Sequence, residues 1–226
     1  AVNHGGKTNG YSVPNPVAQS EVIRKALSKA KINPSTISYI EAHGTGTSLG
    51  DPIEIDALTD VFKKYTDKKQ YCAIGSVKSN AGHLEAAAGI AQITKVLMQF
   101  KSDTIFPSRL NSDSLNHNIH FEDTPFYVQT SAQKWVVDNN RENPEGLMRA
   151  GVSSFGVGGV NVHIVLEEYR EPEREKAVKS ETTLLIPLSA LSSEALERNV
   201  KQLRTFLETE SLPDIRDFAY TLLVGR

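Results

Sequence analysis

The sequence predicts an α/β protein, and two observations support this prediction. Short apolar runs at residues 37–40 and 72–77 are typical of buried strands. Each run leads into a glycine-rich turn and then into a segment whose apolar residues recur at helical spacing. Alternating strands and helices favour layers of helices packed on a sheet.

Apolar spacing predicts one helix over residues 22–30, ended by Pro34. A second helix is predicted to begin at Asp51, with Asp51 as its cap, Pro52 in its first turn and Glu54 completing a capping box. Four residues form its predicted inner face: Leu58, Val61, Phe62 and Tyr65.

A third helix is predicted over residues 84–100, which are apolar nearly all round and include several small residues. Such a helix is expected to be buried on most sides. Three further strands are predicted at residues 126–130, 149–155 and 160–166, the last two joined by the tight turn GVGG.

A mostly charged segment at residues 170–181 marks a boundary. Beyond it, residues 184–188 predict a strand. Two helical stripes follow, one of Leu196, Val200, Leu203 and Leu207 and one of Ile215, Phe218, Ala219, Leu222 and Leu223. This tail is too short for a sizeable core of its own and is predicted to pack on the main body.

Composition excludes several classes of protein. The 226 residues are 39% hydrophobic and 23% charged, which is ordinary for a globular chain. A net charge of −2 without a basic block argues against nucleic acid as the main partner. One cysteine excludes an internal disulfide and favours a cytoplasmic setting. The apolar run at residues 84–100 contains charged and amide side chains, so no membrane span is predicted.

Two histidines lie in the two glycine-rich turns, His43 in EAHGTGT and His83 in KSNAGHLEAAAG. Both turns follow predicted strands, where a sheet presents its chemistry. His117 and His120 are spaced as metal ligands can be, but no zinc-type spacing of other ligands accompanies them. They are therefore predicted to be solvent-facing loop residues, and no metal site is predicted.

Three other candidates receive structural roles. His4 and His163 are predicted to be structural, the latter in the middle of a strand. Cys72 would need a lowered pKa to act as a nucleophile, usually from a helix N-terminus or a neighbouring base. Because it lies within an apparent strand, it is predicted to be a small buried side chain.

The combined motifs resemble those of the β-ketoacyl synthases, specifically the ketosynthase domains of modular type I polyketide synthases. The matching segments are EAHGTGT, KSNAGHLEAAAG and SSFGVGGVN, and HGGKTNGYSVPNP looks nearest to synthases served by a separate acyltransferase. The match covers residues 1–168 as the C-terminal half, then a charged connector at residues 169–183 and a linker subdomain at residues 184–226. It implies a thiolase-like fold of αβαβα layers, followed by a small α/β subdomain.

The resemblance implies a decarboxylative Claisen condensation between an acyl-cysteine and malonyl carrier protein. His43 and His83 would promote loss of carbon dioxide and stabilise the enolate, because preset Nε2–H donors stabilise charge as it develops. Lys78 lies near the second histidine in this family and is tied to an acidic residue, for which Glu85 is the candidate, with Asn80 in a supporting role. The family's nucleophile lies in a TACSS-like turn, which this chain lacks.

Two further parts of the site follow from the resemblance. Thr45 and Thr47 would hydrogen-bond the phosphopantetheine arm that carries the substrate. An oxyanion turn is implied at Phe155, Gly156, Val157 and Gly158. Its donor would be the backbone N–H of Val157, where many family members have Phe.

The implied partners are an acyl carrier protein, the N-terminal half of the ketosynthase on the same or another chain, and a second copy in a homodimer. A separate acyltransferase is a further possible partner, and no cofactor is bound directly. A lone half is expected to expose the apolar surface of the helix at residues 84–100. The alternative is a catalytically incomplete half-domain that acts as a scaffold or docking element.

Overall fold

The computed structural model describes residues 1–6, 10, 13–108, 115–171, 183–209 and 214–225. The chain forms two compact units, residues 1–170 and residues 171–226. Most of the predicted charged connector lies outside the described residues, and the subdomain boundaries assigned by resemblance remain predictions.

The first unit is built on a sheet in which six of the described strands pair in the order β1-β8-β7-β2-β3-β5. The strands of the unit are β1 (Val2–His4), β2 (Tyr39–Glu41), β3 (Cys72–Gly75), β4 (Thr104–Ile105), β5 (Phe126–Val128), β6 (Gln133–Lys134), β7 (Arg149–Phe155) and β8 (Val160–Glu167). The predicted strands are therefore present, although β3 and β5 end two residues early. Strands β4 and β6 form a separate antiparallel pair.

Strand direction decides where the loops meet. Strand β2 pairs in parallel with both β3 and β7, and β3 pairs in parallel with β5. Their carboxyl ends therefore share one edge of the sheet, as in other α/β sheets that carry a site there. The loops that follow β2, β3 and β7 all emerge at this edge.

Helices cover both faces of the sheet. They are α1 (Pro16–Ala30), α2 (Gly50–Phe62), the short α3 (Lys78–Ala81) and α4 (Ala88–Ser102). Apolar residues of α1 and α2 share one core cluster with Ile40, Cys72 and Ile74 of the sheet. Val96 of α4 belongs to a second cluster with Tyr39, which is on the opposite face because side chains alternate along a strand.

The start of α2 differs from the predicted capping box. The cap position is Leu49, which makes no side-chain cap hydrogen bond, and the helix begins at Gly50. Asp51 instead accepts from the N–H of Gly46 at 3.1 Å. Glu54 is turned away from the helix end towards the loop before it. Of the predicted inner face, Tyr65 is wrong, because it lies beyond the helix and is 50% exposed.

Helix α4 is less buried in this chain than its composition predicts. Its inner face includes the polar side chains of Gln92, Lys95 and Gln99. Ile90, at 63% exposed, and Met98, at 56%, belong to its apolar outer surface. The resemblance found in the sequence implies such an exposed apolar surface on this helix.

The second unit contains α5 (Ser193–Thr209) and α6 (Ile215–Val224), the two helices that the apolar stripes predict. The predicted strand at residues 184–188 is wrong, since no strand is found there. Pro187 interrupts that run and has no N–H to contribute to a ladder. No helix among the described residues is long and apolar enough to cross a membrane.

Candidate active site

The loop after β2 is held by a buried carboxylate. The two oxygens of Glu54 accept from the backbone N–H groups of His43, at 2.8 Å, and Gly44, at 2.9 Å. Burial raises the pKa of Glu54 to about 7, against the opposing effect of these two hydrogen bonds. Gly44 has φ +48°, and a Cβ there would lie 2.8 Å from the Cβ of Ser76, so glycine is required.

The ring of His43 has a defined tautomer. Its Nδ1 accepts from the backbone N–H of Phe155 at 3.3 Å, and the Nζ of Lys78 lies 3.4 Å from the same atom. A neutral imidazole whose Nδ1 accepts carries its proton on Nε2. Burial, reinforced by the charge of Lys78, lowers the pKa of His43 to about 4, so the ring is neutral at physiological pH.

Lys78 is a buried link between the two histidine loops. Its ammonium donates to the backbone oxygen of His43 at 2.6 Å. Burial lowers its pKa, and the negative charges of Glu54 and Glu41 oppose that shift. The proposed pair with Glu85 is not found: none of the described ion pairs joins Lys78 to Glu85, whose side chain is exposed.

His83 is exposed and follows the short helix α3 and Gly82. Its Nδ1 accepts from the backbone N–H of Glu85 at 3.0 Å, so its neutral form also carries the proton on Nε2. Glu85 therefore contacts His83 through its main chain. Asn80, placed beside the site by the sequence, is exposed and accepts from the hydroxyl of Ser79 at 3.1 Å.

The fold brings the two imidazoles together. The ring centroids of His43 and His83 lie 5.8 Å apart in an edge-to-face arrangement, although the residues are 40 positions apart in the chain. The ring of Phe155 lies 5.6 Å from His43 on another side. Two rings, each of whose neutral form carries its proton on Nε2, are therefore neighbours at this edge of the sheet.

The turn after β7 forms another wall of the site. The N–H of Gly159 donates to the carbonyl of Gly156 at 2.9 Å, which closes a tight turn around Val157 and Gly158. Val157 is 67% exposed, and its own N–H donates to no acceptor among the described residues. That N–H is available to a ligand.

His4 fixes this turn, a role that sequence reasoning left unspecified. Its Nδ1 accepts from the N–H of Gly6 at 3.0 Å, so its Nε2–H donates to the carbonyl of Gly158 at 3.2 Å. Gly159 has φ +88°, and a Cβ there would lie 2.9 Å from the His4 ring. The structural role predicted for His4 is therefore to hold Gly158 in this turn.

A cleft of about 500 Å³ lies against the His43 loop and the turn after β7, and neither His83 nor Lys78 is among its lining residues. Its lining includes His43, Glu54, Thr45, Thr47 and residues 155–159. The hydroxyls of Thr45 and Thr47 lie 3.2 Å apart and both side chains are exposed. They offer donors and acceptors to a polar ligand in the cleft.

The remaining candidates lie elsewhere. Cys72 is fully buried, and burial raises the pKa of its thiol, so its predicted structural role is confirmed. His117 and His120 are exposed, as predicted. His163 is fully buried on β8, with its Nδ1 3.0 Å from the hydroxyl of Ser153. In the described part of the chain, no group of three or more metal-ligating side chains is found.

Glu54 is the functional residue that sequence reasoning misassigned. It lies four positions before Leu58, so both occupy the same, buried face of α2. A carboxylate on a buried apolar stripe is uncommon without a partner. This position of a carboxylate on the buried face of α2 indicates a buried partner for Glu54, but the local match to a capping box led to a different prediction.

Comparison with known proteins agrees with this geometry. Residues 1–112 match the family described as "Beta-ketoacyl synthase, C-terminal domain", and residues 116–223 match "Ketoacyl-synthetase C-terminal extension". The chain therefore belongs to the β-ketoacyl synthase family. Within that family it is of the modular polyketide synthase type, which confirms the resemblance found in the sequence.

The similar proteins are much longer than this chain. Polyketide synthase PksL of Bacillus subtilis is 52% identical over the whole chain, which spans 5% of its length. Polyketide synthase ThaG of Burkholderia thailandensis is 47% identical over the whole chain and 4% of its own length.

Among solved structures, the ketosynthase from module 6 of the bacillaene synthase of Bacillus subtilis matches with a TM-score of 0.69 and 42% identity, over 100% of this chain and 37% of the other. The ketosynthase from module 1 of the bacillaene synthase of Bacillus amyloliquefaciens matches with a TM-score of 0.69 and 43% identity, over the same shares. The thiolase-like fold class predicted from the sequence is thereby confirmed.

Proposed function

We propose that this chain supplies the two catalytic histidines of a ketosynthase that extends polyketide chains by decarboxylative Claisen condensation. The observation that carries the proposal is the pair of facing imidazoles, His43 and His83, 5.8 Å apart. Both rings accept at Nδ1, so both can donate from Nε2 to one substrate atom.

The chemistry requires such a pair. Loss of carbon dioxide from a malonyl thioester breaks a carbon–carbon bond and moves its electron pair into an enolate, with negative charge on the thioester oxygen. Two preset N–H donors stabilise that oxygen as the charge develops. The enolate carbon then attacks the acyl-cysteine carbonyl, and the cysteine thiolate leaves. The product is a β-ketoacyl thioester on the carrier protein.

The neutral state of His43 suits this role. A pKa of about 4 keeps the ring uncharged, with Nδ1 accepting from the N–H of Phe155 and Nε2–H available to polarise a water or the substrate. Lys78 fixes the loop through its hydrogen bond to the His43 main chain.

The cleft fits a carrier-bound substrate. The phosphopantetheine arm has amide and hydroxyl groups along a narrow chain, and the exposed side chains of Thr45 and Thr47 line the cleft with hydroxyl groups. The N–H of Val157 is the proposed donor to the acyl-cysteine oxyanion, since a backbone donor is independent of the side chain at that position.

The nucleophile comes from outside this chain, because the only cysteine, Cys72, is fully buried. The proposed partners are therefore the cysteine-bearing half of the ketosynthase, a second copy in a homodimer, and an acyl carrier protein, with a separate acyltransferase loading it. The exposed apolar surface of α4 supports burial against the other half. A free, reduced cysteine is consistent with a cytoplasmic enzyme.

The same lack of an accessible cysteine favours the second candidate, a scaffold or docking element without activity of its own. The decisive experiment follows decarboxylation of malonyl carrier protein by this chain together with the cysteine-bearing half. His43→Ala and His83→Ala should each lower the rate by about 100-fold or more. The matched control is His117→Ala, which alters an exposed histidine.

The outcomes separate the two candidates. A rate equal to the uncatalysed reaction with the unaltered complex would favour the scaffold role. Decarboxylation that survives both His43→Ala and His83→Ala would show that these imidazoles are not the catalytic groups.

A further inference from the structure

A buried polar network lies between β2, β3 and α4, outside the cleft. The carboxylate of Glu41 accepts from the hydroxyl of Tyr39 at 2.7 Å and from the ammonium of Lys95 at 2.9 Å. Lys95 also donates to the hydroxyl of Tyr39 at 2.9 Å. Tyr39 and Glu41 are fully buried, and Lys95 is 8% exposed.

The second oxygen of Glu41 reaches the other histidine loop. It accepts from the backbone N–H of Val77 at 2.5 Å, immediately before Lys78. Glu41 itself lies at the end of β2, two residues before His43. One carboxylate therefore joins the segment that carries His43 to the segment that carries Lys78 and His83.

The neighbouring strand leaves room for this network. Gly75, the last residue of β3, pairs in register with Glu41. A Cβ at Gly75 would lie 2.9 Å from the Tyr39 hydroxyl and 3.4 Å from the Lys95 nitrogen. The absence of a side chain at Gly75 is what allows the three groups to meet.

We propose that Glu41 is a positioning residue for the condensation, which it serves by fixing the Lys78 and His83 loop to the His43 loop through Val77. Lys95 and Tyr39 hold its carboxylate in place and compensate its charge. Glu41 is fully buried and cannot reach a substrate, so it acts through the groups it positions. The catalytic consequence rests on the proposed function, whereas the anchoring of Val77 does not.

Glu41 and Lys95 form a buried ion pair, which limits the substitutions that can test this role. Removing one partner of a buried ion pair leaves an uncompensated charge, which is strongly destabilising, whereas replacing both partners is often neutral. Single variants at Glu41 or Lys95 would therefore mix stability with positioning. Two double variants that are equally uncharged remove this electrostatic difference.

The first variant, Glu41→Gln with Lys95→Met, keeps an oxygen that can accept from Val77 and an amide that can donate to Tyr39. The second, Glu41→Met with Lys95→Met, keeps a similar volume without an acceptor. Both are compared in the complete ketosynthase. The rates measured are acylation of the cysteine by an acyl thioester and decarboxylation of malonyl carrier protein.

The Met/Met variant is expected to decarboxylate about 10- to 100-fold more slowly than the Gln/Met variant, since displacement of catalytic groups by about 1 Å has effects of that order. Acylation forms no enolate, so it does not use the step assigned to His43 and His83 and should agree within about twofold between the two. Equal decarboxylation rates, or an equal loss of acylation, would overturn the proposal.

Amide hydrogen exchange at Val77 gives a readout that does not require turnover. Exchange should be faster in the Met/Met variant than in the Gln/Met variant, because only the latter retains an acceptor. Equal exchange would overturn the anchoring directly. If the unaltered ketosynthase does not decarboxylate malonyl carrier protein, the proposed function fails, and the exchange measurement still decides the anchoring.

Discussion

The two histidine loops reach the same tautomer by different means. His43 is partly buried, its main chain is bonded to Glu54, and its ring accepts from the backbone of Phe155. His83 is exposed, and its ring accepts from the N–H of Glu85 within its own turn. The contacts that fix the tautomer of His43 come from distant segments, whereas the contact that fixes the tautomer of His83 comes from its own turn.

This difference separates two kinds of control over the two histidines that are proposed to be catalytic. The state of His43 depends on tertiary packing, since burial is the main cause of its lowered pKa. The tautomer of His83 is fixed by the N–H of Glu85 within its own turn, although the segment before that turn is tied to Glu41 through Val77. Changes far along the chain should therefore affect the ring of His43 more directly than the ring of His83.

The largest effect is expected at the turn after β7, which is compared here with the two histidine loops. Val157→Pro removes the proposed oxyanion donor, and proline suits the second position of the turn at residues 156–159. Acylation of the cysteine should fall by about 100-fold, as for other lost oxyanion donors. Val157→Ala, which retains the N–H, is the control. Equal acylation rates for the two variants would show that the N–H of Val157 is not an oxyanion donor.

A matched pair of substitutions tests the comparison itself. In Glu54→Gln the amide group faces one of the N–H groups of His43 and Gly44, so a buried donor loses its acceptor. We expect a loss of about 1–3 kcal/mol in the free energy of unfolding and a decarboxylation rate about tenfold lower. Glu85→Gln keeps its backbone donor to His83 and should change both quantities little. Urea unfolding and decarboxylation rates measure them, and equal effects would contradict the distinction between the loops.

The protonation of the His43 ring as a function of pH tests whether tertiary packing controls this residue. Because its pKa is lowered from the ordinary value of 6.5 to about 4, the ring should stay neutral as pH falls from 8 to about 5. NMR titration of the ring Cε1–H resonance should show its midpoint near pH 4. A midpoint near 6.5 would mean that the surrounding packing does not control this histidine.

The smallest effect concerns a histidine outside the site. Burial lowers the pKa of His163 from 6.5 to about 3, so the folded form resists protonation that the unfolded chain accepts. Its contribution to stability is complete above pH 6.5 and is lost as pH falls from 6.5 towards 3. His163→Leu should flatten this part of the stability profile in urea unfolding. His117→Leu, at an exposed position, serves as the control, and an unchanged slope in His163→Leu would refute the assignment.

Local patterns predicted the elements well because they record periodicity. The bounds of β7 are those expected, and β8 extends one residue further. Local patterns failed where a side chain serves a distant segment. Glu54 matches a capping box in sequence. In the structure its carboxylate oxygens accept instead from the backbone N–H groups of residues 10 and 11 positions earlier.

The same limit explains the acidic partners of Lys78. Glu85 was expected because it is near in the sequence, whereas Glu54 and Glu41 are brought near by the sheet edge and by α2. The outer surface of α4 shows the converse case. Its composition predicts burial, whereas Ile90 and Met98 are exposed in this chain.

The contact between His4 and Gly158 has a consequence for biosynthesis. These residues are 154 positions apart, and β1 and β8 pair across a similar separation. At ~5–20 residues per second, a ribosome needs roughly 8 to 31 s between the two. Both histidine loops therefore emerge before the strand that completes the cleft wall, and the site assembles late in the synthesis of this unit.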